Sequence, residues 1–315
     1  MDILKKPKVY IDGKEGTTGL QIYERLGQRD DIELLLIDED KRKDSAERKK
    51  FLNAADLVFL CLPDAAAVEA VSMIENPDTR VIDASTAHRV LPGWAYGFPE
   101  LSALHRSMIA AGKRVANPGC HATGFVSVVY PLVTLGILPA DAYLTCFSLT
   151  GYSGGGKKMI AQYEAEDRDA LLSSPAPYAL SQGHKHLPEM RVRCGLERTP
   201  VFVPIVDDYY KGMATTVTFH REQLRGIDSL SRLREALLDF YAGQNLVRVA
   251  PGDGGGKLYA AERAGKDDLV LTVAGSDECF TVTALFDNLG KGASGAAVQN
   301  MNIMLGLDER TGLSL

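Results

Sequence analysis

Short apolar segments alternate with helical patterns along residues 9–116 of the chain. Apolar runs bounded by turn residues predict strands, and apolar positions that recur every three or four residues predict helices. The predicted strands are Val9–Asp12, Ile32–Ile37, Leu57–Leu62, Val81–Ala84 and Arg114–Ala116. The predicted helices are Leu20–Leu26, Ala46–Asn53 with Ser45 as its cap, Ala65–Ile74 and Leu101–Ala111. This alternation predicts an α/β fold with a parallel, doubly wound sheet.

The pattern changes in the second half of the chain. Phe125–Leu135 is almost wholly apolar, which predicts a helix buried between other elements. Beyond it, β-rich segments separated by Gly- and Asp-rich turns predict a largely antiparallel sheet. The predicted strands are Tyr143–Thr150, Val201–Val206, Gly212–Arg221, Leu246–Ala250, Leu258–Arg263, Asp268–Ala274 and Cys279–Leu285. The predicted helices are Met159–Asp167, Leu230–Tyr241 with Ser229 as its cap, and Ala296–Leu305.

Composition narrows the class of protein. At 315 residues, 45% hydrophobic and 24% charged, the chain has the length for two domains and the balance of a soluble globular protein. A net charge of −6 gives no reason to expect nucleic-acid or membrane binding, and an anionic substrate needs a local cluster of donors. The five scattered cysteines predict free thiols and a reducing, cytoplasmic compartment. We see no secretory signal in Met1–Lys8 and no apolar run that could span a membrane.

A glycine loop joins the first predicted strand to the first predicted helix. The segment reads Gly13-Lys14-Glu15-Gly16-Thr17-Thr18-Gly19, with glycines spaced G-x-x-G-x-x-G. Glycines let a backbone approach a pyrophosphate, and the helix start supplies N–H donors. The strand before and helix after favour nucleotide binding over a plain tight turn.

The end of the second predicted strand carries both kinds of residue that distinguish NAD from NADP. Asp38 favours a ribose hydroxyl, whereas Lys41 and Arg42 favour the additional phosphate of NADP. A third interpretation is a solvated charge run. The spacing leaves this choice open.

Several polar segments follow the predicted parallel strands, where ligands of doubly wound sheets bind. They include Leu62–Asp64, Ser85–Arg89 and Asn117–Cys120, and we expect them to line one edge with the glycine loop. Arg89 is a candidate anchor for a phosphate or carboxylate, because a guanidinium binds such groups through two bonds. A surface arginine without that role is the alternative.

Cys120 is the candidate nucleophile. Asn117-Pro118-Gly119 forms a turn between a strand and a buried helix, so the thiol lies at or near a helix N-terminus. The positive end of the helix dipole favours the thiolate. The alternative is a small buried cysteine that fills space beside a turn.

Three later segments add candidate chemistry. Gly151–Lys158 contains Ser153 and a glycine run that suits an oxyanion, or else a flexible loop. Gly183–Glu189 contains His184 and His186, whose i, i+2 spacing argues against zinc, so we expect no metal. It fits an acid/base histidine positioned by Glu189, or a capped helix start with exposed imidazoles. Asp287–Gly295 introduces the last helix, where Gln299, Asn300 and Asn302 are paired internally or face a ligand.

Taken together, these segments resemble the shorter type of the N-acetyl-γ-glutamyl-phosphate reductase family. The resemblance is carried by Gly13–Gly19, Asn117–Gly124, Ser153–Lys157, Gly183–Glu189 and Asp287–Asn302. It implies a Rossmann-like NADP-binding domain (residues 1–118 and 289–315) and an α+β catalytic and dimerisation domain with a mixed or antiparallel sheet (residues 119–288). It also implies a C-terminal helix that returns to the first domain, as in the related aspartate-semialdehyde dehydrogenases.

The resemblance also implies roles for individual residues. Cys120 is then the nucleophile and His184 the acid/base, with His186 a close rival; Glu189 orients the histidine, and Asn117 assists the oxyanion. Arg89, Ser153 and Lys157 are expected to contact the substrate. Two stretches depart from the family pattern, namely Ser85–Arg89 and Gly154–Lys157. The residues expected to bind the cofactor are Gly13, Gly16, Thr17, Thr18, Gly19, Asp38, Lys41, Arg42, Pro63, Ser85, Gly154, Asn288, Lys291 and Gly292.

The activity implied is NADPH-dependent reduction of N-acetyl-L-glutamyl 5-phosphate to the 5-semialdehyde and phosphate, through a cysteine thioester, in arginine biosynthesis. Two alternatives stay open from the residues: reduction of aspartyl or aminoadipyl phosphate, and a catalytically inactive NADP-binding sensor. The expected partners are a small-molecule acyl phosphate and further copies of the chain, as a dimer or tetramer.

Overall fold

The computed structural model describes residues 6–276 and 278–315. The expectation about a secretory signal concerns Met1–Lys8, of which residues 1–5 lie outside this range. The chain divides into two compact units. The first unit is Met1–Pro118 with Ala293–Leu313, and the second unit is Gly119–Gly292 with Ser314–Leu315.

The first unit contains a parallel sheet that, within the described residues, has six strands in the order β2-β1-β3-β4-β6-β5. Its strands are β1 Lys8–Asp12, β2 Glu33–Leu35, β3 Leu57–Leu60, β4 Arg80–Asp83, β5 Ala95–Tyr96 and β6 Arg114–Ala116. Its helices are α1 Thr17–Leu26, α2 Ser45–Ala54, α3 Asp64–Ser72, α4 Ala103–Ala111 and α9 Gly295–Leu305. The predicted doubly wound α/β fold is thereby confirmed.

Alternate residues of the parallel strands build two separate cores, because successive side chains of a strand point to opposite faces. Val9, Phe59 and Ile82 pack with Ile22 of α1 and Met301 of α9 on one face. Their strand neighbours Tyr10, Val58 and Val81 pack on the other face with apolar residues of α2 and α3. Both faces are therefore dry, which explains why these strands read as continuous apolar runs.

The last helix, α9, belongs to the first unit, where it packs against α1, α4 and β4. Its buried amides have internal partners in this unit. Gln299 Nε2 donates to Glu100 and Glu309, Asn300 Nδ2 to the Gly97 carbonyl, and Asn302 Nδ2 to the Glu309 and Thr311 carbonyls. The amide nitrogens are therefore paired internally, whereas the buried Asn300 Oδ1 has no hydrogen-bond partner in the described part of the chain.

The second unit contains a mixed sheet, seven-stranded over the described part of the chain, in the order β11-β12-β13-β10-β7-β9-β8. The pairs β7–β9 and β11–β12 are parallel and the other pairs antiparallel. The strands are β7 Thr145–Gly151, β8 Ala176–Pro177, β9 Val201–Asp207, β10 Met213–His220, β11 Val247–Val249, β12 Leu269–Gly275 and β13 Cys279–Phe286. The helices are α5 Cys120–Thr134, α6 Gly156–Glu164, α7 Leu187–Arg193 and α8 Leu230–Phe240.

Helix α5 lies on one face of this sheet, against β10 and β13. Gly124 makes the close approach possible, since a Cβ there would overlap the Thr215 side chain of β10. Val126, Val128, Val129 and Leu132 of the helix are fully buried, as the apolar run predicted. The start of α5 is thus held rigidly over the sheet.

Two local predictions were wrong and one is confirmed. Asp44, not Ser45, caps α2, because its carboxylate accepts from the Glu47 N–H and Ser45 is already helical. Leu258–Arg263, which lies wholly within the described chain, forms turns in place of a strand, with N–H groups of Glu262 and Ala264 bonded three residues back. Ser229 caps α8 as predicted, through a bond from the Arg232 N–H.

Across residues 6–276 and 278–315, no helix combines the length and the apolar character needed to cross a membrane.

Candidate active site

The glycine loop of the first unit is shaped by close backbone contacts. Gly13 has φ +87°, and a Cβ there would overlap the Cys61 carbonyl. At Gly19 a Cβ would overlap the Gly13 carbonyl, so this glycine lets α1 begin directly against the loop. Gly16 differs, because its nearest neighbours would be at an ordinary 3.5 Å. Internal packing therefore explains two of the three glycines and leaves Gly16 open to a ligand.

The start of α1 presents unused donors. The N-cap residue of α1 is Gly16, which has no side chain that could accept a bond from the first N–H groups of the helix. The Thr17 hydroxyl is buried and has no hydrogen-bond partner in the part of the chain that the structure describes. Thr18 follows in the same first turn. Uncapped N–H groups beside an orphaned hydroxyl fit the phosphates of a dinucleotide.

The charged segment after β2 borders the glycine loop. Arg42 lies 3.9 Å from Glu15 of the loop and 3.3 Å from Glu39. Lys41 Nζ donates to Asp38 over 3.1 Å, and this bond raises the pKa of Lys41. Both cations are exposed, and the contact with Glu15 places Arg42 at the rim of the loop.

The ends of β3 and β4 are tied together by side chains. Pro63 precedes the first turn of α3. Asp83 accepts bonds from the N–H and the hydroxyl of Ser85, and its other contact is His88 Nδ1 at 2.6 Å. Arg89 is buried, and its guanidinium donates to the carbonyls of Ala84 and Asn117. These bonds hold Arg89 to the backbone, so its contact with substrate stays a prediction.

Asn117 is buried at the end of β6. Its Nδ2 donates to the Ala293 carbonyl over 3.0 Å, and its Oδ1 accepts from Asn300 over 3.1 Å. An amide nitrogen carries two hydrogens. Assistance to an oxyanion would therefore have to use the second one, and that role stays a prediction.

Cys120 is the first residue of α5 and is partly exposed. The chain's other cysteines contrast with it. Cys146 and Cys194 are buried, which raises their pKa values, and burial raises the pKa of Cys61 to about 12. Cys279 is exposed at the start of β13. Cys120 alone joins access to a helix N-terminus, and the helix dipole there favours the thiolate.

Glu189 acts on the turn before Cys120. Its carboxylate is 1% exposed, and Oε1 accepts a 2.9 Å bond from the Gly119 N–H. These residues are 70 apart in sequence, so no local pattern signalled the bond. The expected orientation of a histidine by Glu189 stays a prediction, and the structure adds a role in fixing the turn.

Three imidazoles gather near the start of α5. Ring centroids of His184 and His186 are 4.7 Å apart, and those of His121 lie 5.5 Å and 5.7 Å from them. His184 Nδ1 accepts from the His186 N–H over 3.1 Å, which assigns the proton of the neutral ring to Nε2. Burial and the charge of Lys185 lower the pKa of His184 to about 4. His184 is half-buried, whereas His186 is buried before α7.

His121 was not singled out from the sequence. It is buried, and its Nδ1 lies 2.7 Å from the Ser148 hydroxyl while its Nε2 lies 2.8 Å from the Tyr178 hydroxyl. Burial and the neighbouring His184 lower its pKa to about 3. The sequence offered one signal for His121, namely its position directly after Cys120. A residue that follows a nucleophile at a helix start also lies in the first turn of that helix.

The segment from Tyr178 to His186 has a strained backbone. Ala179 and Gln182 adopt φ values of 51° and 57°, which non-glycine residues rarely do. Gln182 is anchored by two 2.9 Å bonds between its side-chain amide and the backbone of Phe202 on β9. Strain of this kind costs about 1–3 kcal/mol per residue and clusters at functional sites.

The loop between β13 and α9 connects two candidate regions of the second unit. Gly292 lies against the nucleophile, since a Cβ there would be 3.0 Å from Cys120 Cβ. Asn288 donates to the Ser153 hydroxyl over 2.9 Å and accepts from the Gly212 N–H. Lys291 is almost fully buried within a π-helical segment, Gly290–Ser294. Such segments are frequent at functional sites.

The glycine run before α6 is exposed. Ser153 is buried, whereas Gly154 and Lys157 are exposed at the start of this helix, which lacks a side-chain cap among the described residues. The arrangement offers backbone N–H groups and one cation to an anion. Within the described ranges, no group of three or more His, Cys, Asp or Glu side chains could hold a metal ion.

Comparisons with known proteins agree with this architecture. The family model for the semialdehyde dehydrogenase dimerisation domain matches residues 120–288, and the model for its NAD binding domain matches residues 37–109. Similar curated proteins are N-acetyl-gamma-glutamyl-phosphate reductases of Brucella anthropi and Brucella ovis. They are 49% and 48% identical over 96% of this chain and 99% of their own lengths.

Solved structures share the fold at low sequence identity. Aspartate semialdehyde dehydrogenase II of Vibrio cholerae aligns with TM-score 0.73 and 15% identity, covering 96% of this chain and 99% of that one. Aspartate semialdehyde dehydrogenase of Francisella tularensis aligns with TM-score 0.71 and 15% identity, covering 95% and 100%. At this identity the likeness concerns the fold alone.

Proposed function

The chain belongs to the N-acetyl-γ-glutamyl-phosphate reductase family, and from this premise we propose that it reduces N-acetyl-L-glutamyl 5-phosphate to the 5-semialdehyde and phosphate, in arginine biosynthesis. The single observation that carries the chemistry is the partly exposed Cys120 thiol at the first position of α5, close to neutral imidazoles. The relatives named for this activity match nearly the whole chain, whereas the aspartate enzymes share only the fold.

Cys120 supplies the nucleophile. Its thiolate attacks the acyl carbon, a sulfur–carbon bond forms, and phosphate leaves with the electrons of the broken carbon–oxygen bond. The carbonyl oxygen carries negative charge in the tetrahedral species. N–H groups at the start of α5 stabilise it, with the second Asn117 hydrogen in the assisting role. One such donor is typically worth about 3–4 kcal/mol of the barrier.

His184 acts on the same oxygen. Its Nδ1 accepts from the His186 N–H, so the neutral ring carries its proton on Nε2, and this is the proton assigned to the reaction. NADPH, when bound, would supply the hydride that the thioester accepts. The hemithioacetal oxyanion so formed would collapse to the aldehyde, with the Cys120 thiolate as the leaving group. Glu189 keeps the nucleophile in place by holding the Gly119 N–H.

The cofactor is a nicotinamide dinucleotide, and we propose NADP in particular. The unsatisfied Thr17 hydroxyl and the uncapped α1 start support a pyrophosphate at Gly13, Gly16 and Gly19. The exposed Lys41, which is bonded to Asp38, and Arg42 at the rim of this loop support a site for the ribose phosphate. The remaining proposed cofactor contacts are Thr18, Pro63, Ser85, Gly154, Asn288, Lys291 and Gly292.

The substrate's anionic groups are proposed to bind Ser153, Lys157 and Arg89. Lys157 and the uncapped α6 start support this assignment most directly, because they are exposed donors. We also propose that the two domains meet in sequence at residues 118 and 288. A cytoplasmic location is proposed because the five cysteines are free.

A homo-oligomer is proposed through the second unit. Helices α5 and α8 pack against the sheet strands β10 to β13, and Ser148 and Thr215 point to the side of α5. Phe147 and Thr216 alternate with them and therefore point to the other face. There Phe147 is 41% and Val201 53% exposed. A sheet face that exposes Phe147 and Val201, in a matched dimerisation domain, suits a second copy of the chain.

The test is the reverse reaction with N-acetylglutamate semialdehyde, phosphate and either NADP or NAD. We expect phosphate-dependent reduction of NADP, with NAD used less efficiently. The Cys120→Ala variant should lose at least about 10⁴-fold in kcat while its affinity for NADPH stays near the wild-type value. A matched Cys279→Ala variant should retain activity. Turnover retained by Cys120→Ala would exclude the covalent route.

A further inference from the structure

A chain of four side chains leads from the sheet to the neighbourhood of Cys120. Thr215 and Ser148 oppose each other on β10 and β7, with hydroxyl oxygens 2.8 Å apart. Ser148 lies 2.7 Å from His121 Nδ1, and His121 Nε2 lies 2.8 Å from the Tyr178 hydroxyl. Because Gly124 has no side chain, Thr215 of β10 lies close against α5. The hydrogen-bonded series therefore begins beside the helix that carries Cys120.

The last member of this chain lies in the electrostatic field of the nucleophile. Burial and the negative charge of Cys120 raise the pKa of Tyr178, so its hydroxyl keeps the proton at neutral pH. The strained segment that follows Tyr178 is fixed to β9, and the Tyr178 N–H donates to the Pro204 carbonyl over 3.0 Å. The hydroxyl is therefore a neutral donor with a fixed position.

The surroundings of the thiolate make such a donor useful. Glu189 places a carboxylate against the Gly119 N–H, which offsets part of the positive end of α5. The pKa values of His184 and His121, about 4 and about 3, keep both imidazoles uncharged near pH 7. Among the described residues, the titratable groups near the start of α5 include Tyr178, His121, His184, Lys185, His186 and Glu189.

The direction of the hydrogen bonds follows from the charge at the end of the chain. If Thr215 donates to Ser148 and Ser148 to His121 Nδ1, then His121 Nε2–H donates to the tyrosine oxygen. The Tyr178 proton is then directed away from the imidazole. In the opposite direction, the Tyr178 hydroxyl would donate its proton to His121 Nε2 and could not donate it to the sulfur. A negative sulfur selects the first arrangement, because each donor then points toward the charge.

We propose that the Tyr178 hydroxyl donates a hydrogen bond to the Cys120 thiolate and that His121, Ser148 and Thr215 are positioning residues that fix its direction. The proposal rests on the proposed function only in taking Cys120 as the nucleophile. It makes Tyr178 a further catalytic residue, since its hydroxyl touches the reacting sulfur. The prediction is that this hydroxyl lowers the pKa of the Cys120 thiol.

The test measures the rate of Cys120 alkylation by iodoacetamide against pH, by mass spectrometry of the Cys120 peptide. The full-length chain is compared with Tyr178→Phe, Ser148→Ala and the control Tyr209→Phe. The Tyr209 hydroxyl is buried in the same unit and has no hydrogen-bond partner in the described part of the chain. Tyr178→Phe should move the midpoint up by about one pH unit, and so slow alkylation at pH 7 about tenfold. Ser148→Ala should give a smaller shift in the same direction, and Tyr209→Phe none.

An unchanged midpoint in folded Tyr178→Phe overturns the proposal, and so does an equal shift in Tyr209→Phe. If Tyr178→Phe does not fold, as judged by circular dichroism, Ser148→Ala decides, and an unchanged midpoint there overturns it. The readout uses neither substrate nor cofactor. The midpoint could therefore shift in Tyr178→Phe even if the wild-type protein showed no phosphate-dependent turnover. That pair of results would refute the proposed function and leave this inference standing.

Discussion

In the proposed function, the glycine loop of the first unit and the histidine cluster of the second unit stabilise negative charge in opposite ways. The loop, residues 13–19, offers backbone N–H groups by removing side chains, and its glycines make room at fixed contacts. In the cluster of His121, His184 and His186, burial lowers the pKa values of His121 and His184 and keeps these two imidazoles uncharged near pH 7. The loop depends on glycines, whose lack of a side chain leaves room. The cluster depends on imidazole side chains and on the direction of their hydrogen bonds.

The largest effect is expected at the cluster. His184→Gln removes the titratable imidazole and keeps a neutral amide N–H donor, and general acid–base groups contribute about 10²–10⁴-fold to a rate. We expect kcat of the phosphate-dependent reaction to fall within that range, with the Kd for NADPH unchanged. His186→Gln is the matched control, with a smaller expected loss. A larger loss for His186→Gln would reverse the assignment of the two histidines.

An intermediate effect is expected at the loop. Gly19→Ala places a Cβ onto the Gly13 carbonyl, and overpacking of this kind costs about 1–3 kcal/mol. Urea unfolding should therefore show a lower free energy of unfolding for this variant. Gly16→Ala is the matched control, because its Cβ would be 3.5 Å from the nearest oxygen. It should leave unfolding unchanged and weaken NADPH binding; unchanged NADPH affinity would count against a pyrophosphate at Gly16.

The smallest effect is expected in the pH dependence of stability. The pKa values of His121 and His184 are lowered in the folded chain from about 6.5, so the unfolded chain binds more protons below that pH. Stability should be complete above pH 6.5 and decline as the pH falls toward 4 and 3. Between pH 6.5 and 5 this decline precedes the titration of most carboxylates. Thermal unfolding of His121→Gln should show a shallower decline there, and an identical slope would contradict the assignment.

The two regions also differ in how far they could be predicted from sequence. The glycine loop is local: seven consecutive residues between a strand and a helix define it, and the structure provides that context. The parallel strands were predictable for the same reason, since burial on both faces makes each one a continuous apolar run. The short β2 and the Asp44 cap are shifted boundaries, whereas the two-residue strand β5 was not predicted.

The cluster depends on contacts that sequence spacing does not show. Cys120, His184 and Glu189 could be proposed from their motifs, but the Glu189–Gly119 bond and the partners of His121 join distant segments. His121 was missed because a histidine beside a nucleophile has many possible environments. Leu258–Arg263 was wrongly predicted as a strand because its apolar residues resemble one locally, while turn hydrogen bonds decide its conformation.

Ala179 and Gln182 carry a consequence for engineering. Both residues adopt a left-handed backbone conformation that glycine would adopt without strain. Both also lie between Tyr178 and His184. A laboratory search for heat-resistant variants would tend to select glycine at position 179, since glycine at position 182 would also lose the two side-chain bonds to Phe202. Such variants would survive higher temperatures while their reactive groups drifted from alignment, so thermal endurance and turnover would separate at this bend of the chain.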